Sequence, residues 1–105
     1  MAHPMHQSVV DMVNKATELM DSLLRDRIDL DEYSRQLDLL EADRVLEQYG
    51  EDFKKDVSLV YYLEALMLLS SLQHELDFQV AEYGANVAQE DIRNLRELMS
   101  KFPQT

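Results

Sequence analysis

The sequence predicts an all-α protein, a bundle of four helices in which the third helix is long and central. Apolar residues recur at helical spacing in four segments, at about 8–24, 30–49, 57–83 and 87–102. The 105 residues include only two Gly and two Pro, too few for the many turns of an all-β fold. A hydrophobic fraction of 46% is sufficient for one core, and a chain of this length corresponds to one domain.

The first predicted helix begins after Ser8, which forms a capping-box pattern with Asp11. Apolar residues then follow on one face at steps of three and four. Residues 1–7 contain Pro4 and show no periodicity, so we expect them to be a flexible N-terminus. A single helical-bundle domain is expected over residues 8–105.

The second predicted helix, 30–49, has the clearest start signal in the chain. Asp29 and Glu32 stand in the arrangement of a capping box, in which each side chain bonds the backbone amide of the other. The apolar stripe changes register midway, which indicates a bent helix or contacts with two different neighbours. Gly50 is a natural residue at which this helix would end.

The third predicted helix, 57–83, carries a second apolar strip in its first half, in addition to its core stripe. A helix that is apolar nearly all round is expected to be buried nearly all round, at the centre of the fold or in an oligomer. At about 40 Å this helix exceeds its neighbours, so we expect it to project or to pair in a homodimer. Glu64, alone among these apolar residues, is predicted to face solvent. The predicted apolar interface consists of Val60, Tyr61, Met67 and Leu68.

Acidic residues are concentrated in the second helix and the turn after it. Residues 29–56 hold 10 acidic and 4 basic side chains, a net charge of −6 out of −11 for the whole chain. The acidic patch consists of Asp43, Glu47, Glu51 and Asp52, the first three at four-residue spacing. Like charges at this spacing repel each other. The patch is therefore either a solvated face that favours solubility or a surface that recognises a basic partner.

The composition also limits which binding partners and which cellular compartment are expected for this protein. A net charge of −11 argues against nucleic acid or an anionic membrane as the partner. The absence of Cys excludes disulfides, thiolate zinc sites and cysteine nucleophiles. The longest apolar-rich run, 57–72, is too short to span a membrane, and no signal-peptide pattern precedes it. We expect a cytoplasmic protein, or one of the host cytosol if it is viral.

Signatures of catalysis are missing from the sequence. It contains no nucleophile elbow and no Gly-rich phosphate loop, and no cofactor is predicted. His74 and Asp77 form only a weak metal-binding pair on one helix. The segment 75–80, with Glu75 and Asp77, resembles the second metal helix of all-α nucleotide pyrophosphohydrolases, which bind magnesium through Glu-x-x-Glu and Glu-x-x-Asp. It departs from that pattern because its acids are two residues apart and point to different faces.

These observations predict a non-enzymatic acidic protein–protein interaction module. It would be a small regulator, inhibitor, immunity protein or chaperone that binds a basic surface of a partner protein. One alternative is a nucleic-acid mimic, because carboxylates about 5–6 Å apart along a helix approximate the spacing of phosphates. Arg35, Arg44, Lys54 and Lys55 interrupt the best such stripe. A second alternative is a metal-dependent all-α hydrolase of the pyrophosphohydrolase kind.

Overall fold

The computed structural model describes the backbone of residues 3–83 and 85–102, and the side chains of residues 3–73 and 89–102. These residues form six α-helices and one 3₁₀ turn without any strand, which confirms the predicted all-α bundle. The helices are α1 (Met5–Leu24), α2 (Leu30–Asp38), α3 (Ala42–Gln48), α4 (Gly50–Lys55), α5 (Val60–Tyr83) and α6 (Ala85–Ser100). The 3₁₀ turn, Val57–Leu59, leads directly into α5.

Helix α1 starts earlier than predicted. It begins at Met5, with Pro4 at the N-cap, and Ser8 lies inside the helix. Met5 is fully buried, as is Val9 one turn later, so the apolar stripe of α1 extends to the beginning of the helix. The expectation of a flexible N-terminus over residues 1–7 is therefore wrong for the described residues 3–7.

Two histidines join this N-terminal segment to the rest of the bundle. His3 donates a hydrogen bond from Nε2 to the Asp52 carboxylate over 3.0 Å. His6 Nδ1 lies 2.6 Å from the Tyr62 hydroxyl, with which it shares a hydrogen bond. These contacts join α1 to α4 and α5, which are distant in sequence.

Helix α2 begins at Leu30 as predicted, with only the Asp29 half of the expected capping box, because the Glu32 carboxylate bonds Arg35 and Gln36. Asp29 is the N-cap, and its carboxylate accepts a hydrogen bond of 2.8 Å from the backbone amide of Glu32. Glu32 also pairs with Arg35 on the exposed surface, and hydrogen bonds from Arg35 and Gln36 hold the pKa of Glu32 below its ordinary value. The carboxylates of this first turn are placed favourably for the helix dipole.

The predicted second helix is not continuous, because the chain breaks after α2. Glu41 adopts a left-handed backbone conformation with φ of 55°. Leu37 and Ala42 are both fully buried although they are five residues apart, which would place them roughly 140° apart around a continuous helix. Gln73 of α5 donates a hydrogen bond of 2.8 Å from its side-chain amide to the Leu37 carbonyl at this break. The register change seen in the sequence is therefore a break that returns the chain to the core.

A second irregularity separates α3 from α4 at Tyr49. Tyr49 has φ of −109° and ψ of 16°, outside the helical range. Helical hydrogen bonds nevertheless continue through it, from the Tyr49 amide to the Val45 carbonyl and from the Phe53 amide to the Tyr49 carbonyl. The junction is thus a kink. Helix α3 ends at Gln48, close to the predicted end at residue 49, but Gly50 does not stop the helical chain, because it begins α4.

Helices α5 and α6 form an antiparallel pair, since Tyr61 near the start of α5 lies beside Lys101 just after α6. The predicted core stripe of α5 is buried over its described side chains, and α1, α2 and α6 complete the core. Within the described residues, no helix has the length and hydropathy needed to cross a bilayer. The largest fully buried side chains are Tyr33, Tyr62, Met5, Leu37, Leu66, Leu69, Leu72, Leu95, Val9 and Val13.

Candidate protein-interaction surface

The first half of α5 exposes apolar side chains on the face turned away from the core. Val60 and Met67 are 42% and 57% exposed, and Val57 in the preceding 3₁₀ turn is 87% exposed. Glu64, also exposed as predicted, lies between Val60 and Met67. Steps of three and four residues place these four side chains on one face, which we name the outer strip.

The opposite face of the same segment supplies the core. Leu59, Tyr62 and Leu66 are buried there, at the three- and four-residue spacing of one helix face. The expectation that this segment is buried nearly all round is wrong for the single chain, because the described helices cover only part of its circumference. The outer strip remains accessible to a further molecule.

A cavity of about 140 Å³ lies beside the outer strip, between α4 and the beginning of α5. An apolar cavity of about 150 Å³ can hold a benzene molecule, so this space is sufficient for one apolar side chain. Hydrogen bonds from the Ser58 hydroxyl and amide hold the pKa of Asp56 below its ordinary value, so its carboxylate is ionised at neutral pH. The lining residues are Phe53, Asp56, Val57, Val60 and Leu63.

Part of the predicted acidic patch lies on the α3 flank of the outer strip. Asp43 accepts a hydrogen bond from the Ser70 hydroxyl of α5, which fixes α3 against that helix. Glu47 follows Asp43 by one turn on the same side of α3 and is exposed. The Asp43–Ser70 bond and the cavity shared by Phe53 and Val60 show that α3 and α4 run antiparallel to α5, so that Glu47 lies in the part of α3 between these two contacts.

The rest of the acidic patch is arranged differently. Asp52 is half-buried and accepts the hydrogen bond from His3, so it faces the N-terminus of the chain. Glu51 forms an exposed ion pair of 3.4 Å with Lys54. The four carboxylates of the patch therefore do not form one uniform free surface, because Asp43 is bonded to Ser70, Glu51 is paired with Lys54 and Asp52 is bonded to His3.

The predicted apolar interface is also divided. Val60 and Met67 belong to the outer strip, whereas Tyr61 and Leu68 are half-buried on the flank that faces α6. The ammonium of Lys101 lies 5.7 Å from the centre of the Tyr61 ring, within the range of a cation–π contact. One flank of the outer strip thus carries carboxylates, and the other carries a lysine.

Sequence reasoning missed Val57, Leu63 and the cavity they line. Phe53 is half-buried against the core, and it also lines the cavity. The only signal for the cavity was the recurrence of apolar residues at Phe53, Val57 and Val60, which spans a helix boundary. These three residues line one cavity only because α4 packs against the beginning of α5.

Among the side chains at 3–73 and 89–102, no cluster of three or more His, Asp or Glu residues could hold a metal ion. The weak pair predicted at His74 and Asp77, and the neighbouring Glu75 and Glu82, lie outside the described side chains.

A larger cleft of about 310 Å³ lies at the break between α2 and α3 and is lined by Asp38, Glu41, Asp43, Arg44 and Gln73. Glu41 and Arg44 pair across 2.9 Å on its exposed edge. Asp43 in the same cleft accepts the hydrogen bond from Ser70, so two of its three carboxylates have partners within the chain.

Comparison of the chain with protein-family models, with curated proteins and with solved structures finds no match.

Proposed function

We propose that this protein is a non-enzymatic acidic interaction module that binds a basic surface of a partner protein. It would act as a small regulator, inhibitor, immunity protein or chaperone, and the cytoplasm is the compartment we propose for it. The observation that carries the proposal is an exposed apolar strip whose α3 flank bears carboxylates. Large exposed apolar surfaces bordered by polar residues are typical of protein interaction sites.

Charge supports the same assignment. From residue 56 to residue 73 the chain has no Lys, Arg or His, while Asp56 and Glu64 contribute carboxylates. Complementary charge steers a partner to its site and selects against partners of the wrong sign. A basic surface with apolar side chains is therefore the best complement to this face.

The nucleic-acid mimic is less well supported. A mimic needs an uninterrupted row of carboxylates, and the chain breaks at Glu41 and kinks at Tyr49. Ion pairs with Arg44 and Lys54 also neutralise Glu41 and Glu51 in part.

A charge-reversal experiment tests the proposal. Glu47→Lys combined with Glu51→Lys should leave the fold intact, because Glu47 is exposed and the Glu51–Lys54 pair is a surface pair of small energetic value. The immobilised protein should capture basic proteins from a lysate of its own cells, and moderate salt should release them. The charge-reversed variant should capture much less of these basic proteins than the original chain does.

The matched control is Glu18→Lys combined with Glu90→Lys, which makes the same change in net charge at exposed positions of α1 and α6. This control should capture the same proteins as the original chain. If both variants captured less protein to the same extent, only net charge would matter. If both captured as much as the original chain, a role for the acidic patch would be contradicted.

A further inference from the structure

We infer that the outer strip binds an amphipathic helix of the partner that carries Lys or Arg beside its apolar face and seats one apolar side chain in the adjacent cavity. This inference rests on the proposed function and specifies the kind of basic surface that is recognised.

The dimensions of the strip suit a helix. From Val57 to Met67 it extends for about 15 Å, which corresponds to about three turns of a docked helix. A helical ligand of that length presents apolar anchors at steps of three, four and seven residues. Recognition by strand addition is not available on this face, because the described residues contain no sheet edge.

The cavity provides a place for one of those anchors. It opens between α4 and α5 beside Val60 and is lined mainly by apolar side chains. Interfaces commonly depend on one or two apolar side chains that fill such a space, with surrounding contacts that exclude water.

The carboxylates in and around the outer strip favour a ligand with basic residues. Glu64 lies within the strip, Asp56 lies at the cavity, and Glu47 lies on the α3 flank. A symmetric dimer through the same face would bring the strip and its central Glu64 against the same surface of a second copy, which places like charges together. Lys101 on the opposite flank, and Lys54 and Lys55 at the end of α4, favour an occupant whose basic residues are on the α3 side.

The test uses a fluorescein-labelled 18-residue peptide of Leu and Lys, with Leu at helical spacing, and a scrambled peptide of the same composition. Fluorescence anisotropy should show that the original chain binds the amphipathic peptide at least tenfold more tightly than the scrambled one. Val60→Glu combined with Met67→Glu should weaken binding at least tenfold. Attraction between net charges alone would make this variant bind the basic peptide more tightly, so the two explanations predict opposite signs.

Two further variants keep the result interpretable. Leu24→Glu introduces the same chemistry at an apolar residue of α1 that is 45% exposed, and it should leave peptide binding unchanged. Val57→Glu alone should also weaken binding, and because Val57 is the most exposed of the large apolar residues in the described chain, its substitution should not disturb folding. Circular dichroism checks the fold of each variant.

Several results would overturn the inference. These are absence of binding, equal binding of the scrambled peptide, or tighter binding by the double Glu variant. Sedimentation equilibrium showing a dimer of the original chain that Met67→Glu dissociates would also overturn it, because a second copy would then cover the strip. None of these results affects capture of basic proteins through the acidic patch, so failure of the inference and failure of the proposed function are distinguishable.

Discussion

Met5→Ala is expected to lower the free energy of unfolding by about 3 kcal/mol. Met5 is fully buried in the first turn of α1, and truncating a buried Met costs about 2–5 kcal/mol through lost apolar contacts and the cavity that remains. A value in the lower half of that range is expected because the end of a helix can relax into part of the cavity. For a domain of this size the change corresponds to a fall in Tm of at least about 12 °C.

Urea denaturation followed by circular dichroism measures this loss, and the chain provides its own control. Met67→Ala makes the same chemical change on α5, where the side chain is 57% exposed. That substitution should change the free energy of unfolding by no more than about 0.5 kcal/mol. Because both variants replace Met by Ala, the difference between their free energies of unfolding measures the effect of burial.

A loss below about 0.5 kcal/mol for Met5→Ala would refute the reasoning. It would mean that the N-terminal segment does not pack and that the helix begins near Ser8, as the sequence alone suggested. Equal losses for Met5→Ala and Met67→Ala would also contradict it, because the two sites would then be equally buried.

Three other predictions concern polar and strained positions. Tyr33→Phe should preserve or slightly raise stability at neutral pH, because in the part of the chain that the structure describes the buried Tyr33 hydroxyl has no hydrogen-bond partner. Burial raises the pKa of Tyr33 far above its ordinary value of 10.0. The original chain should therefore lose stability as the pH rises through about 10, where Tyr33 ionises in the unfolded chain but not in the folded one. Thermal melts over this pH range should show a smaller loss for Tyr33→Phe. Gln73→Glu should lower the free energy of unfolding by about 1–3 kcal/mol at neutral pH, because a carboxylate cannot donate a hydrogen bond to the Leu37 carbonyl. Urea titrations at acidic pH should show a smaller decrease, because a protonated Glu can donate. Glu41→Gly should raise stability by up to about 1 kcal/mol by removing the cost of a left-handed conformation, and a lower Tm in calorimetry would contradict this explanation.

The sequence alone was sufficient for features that depend on neighbouring residues. The N-cap at Asp29 was predictable because the side chain and the amide that it accepts from are three residues apart. The buried stripe through Tyr62, Leu66 and Leu69 was predictable because helical periodicity places these residues on one face. Exposure of Glu64 followed from the same periodicity and from the cost of burying an unpaired carboxylate.

The break at Glu41 was not predictable in the same way. The sequence around Glu41 contains Leu, Glu and Ala, all good helix formers, so local propensity favours continuation. The break exists because Leu37 and Ala42 both pack in the core and because Gln73 bonds the Leu37 carbonyl. Gln73 is a polar residue within the apolar sequence of α5, and its hydrogen bond to α2 explains its position.

The sequence by itself determined that the chain is helical, where most helices lie and which face of α5 enters the core, because these properties follow from contacts within a few residues. The tertiary structure decided that Met5 is buried, that Asp43 and Asp52 of the acidic patch are bonded to different parts of the chain, and that Val60 and Met67 remain exposed. The sequence showed apolar residues on both sides of α5 but not which side other helices would cover. That choice depends on the placement of α3, α4 and α6 around α5, which is set by contacts between residues far apart in the chain.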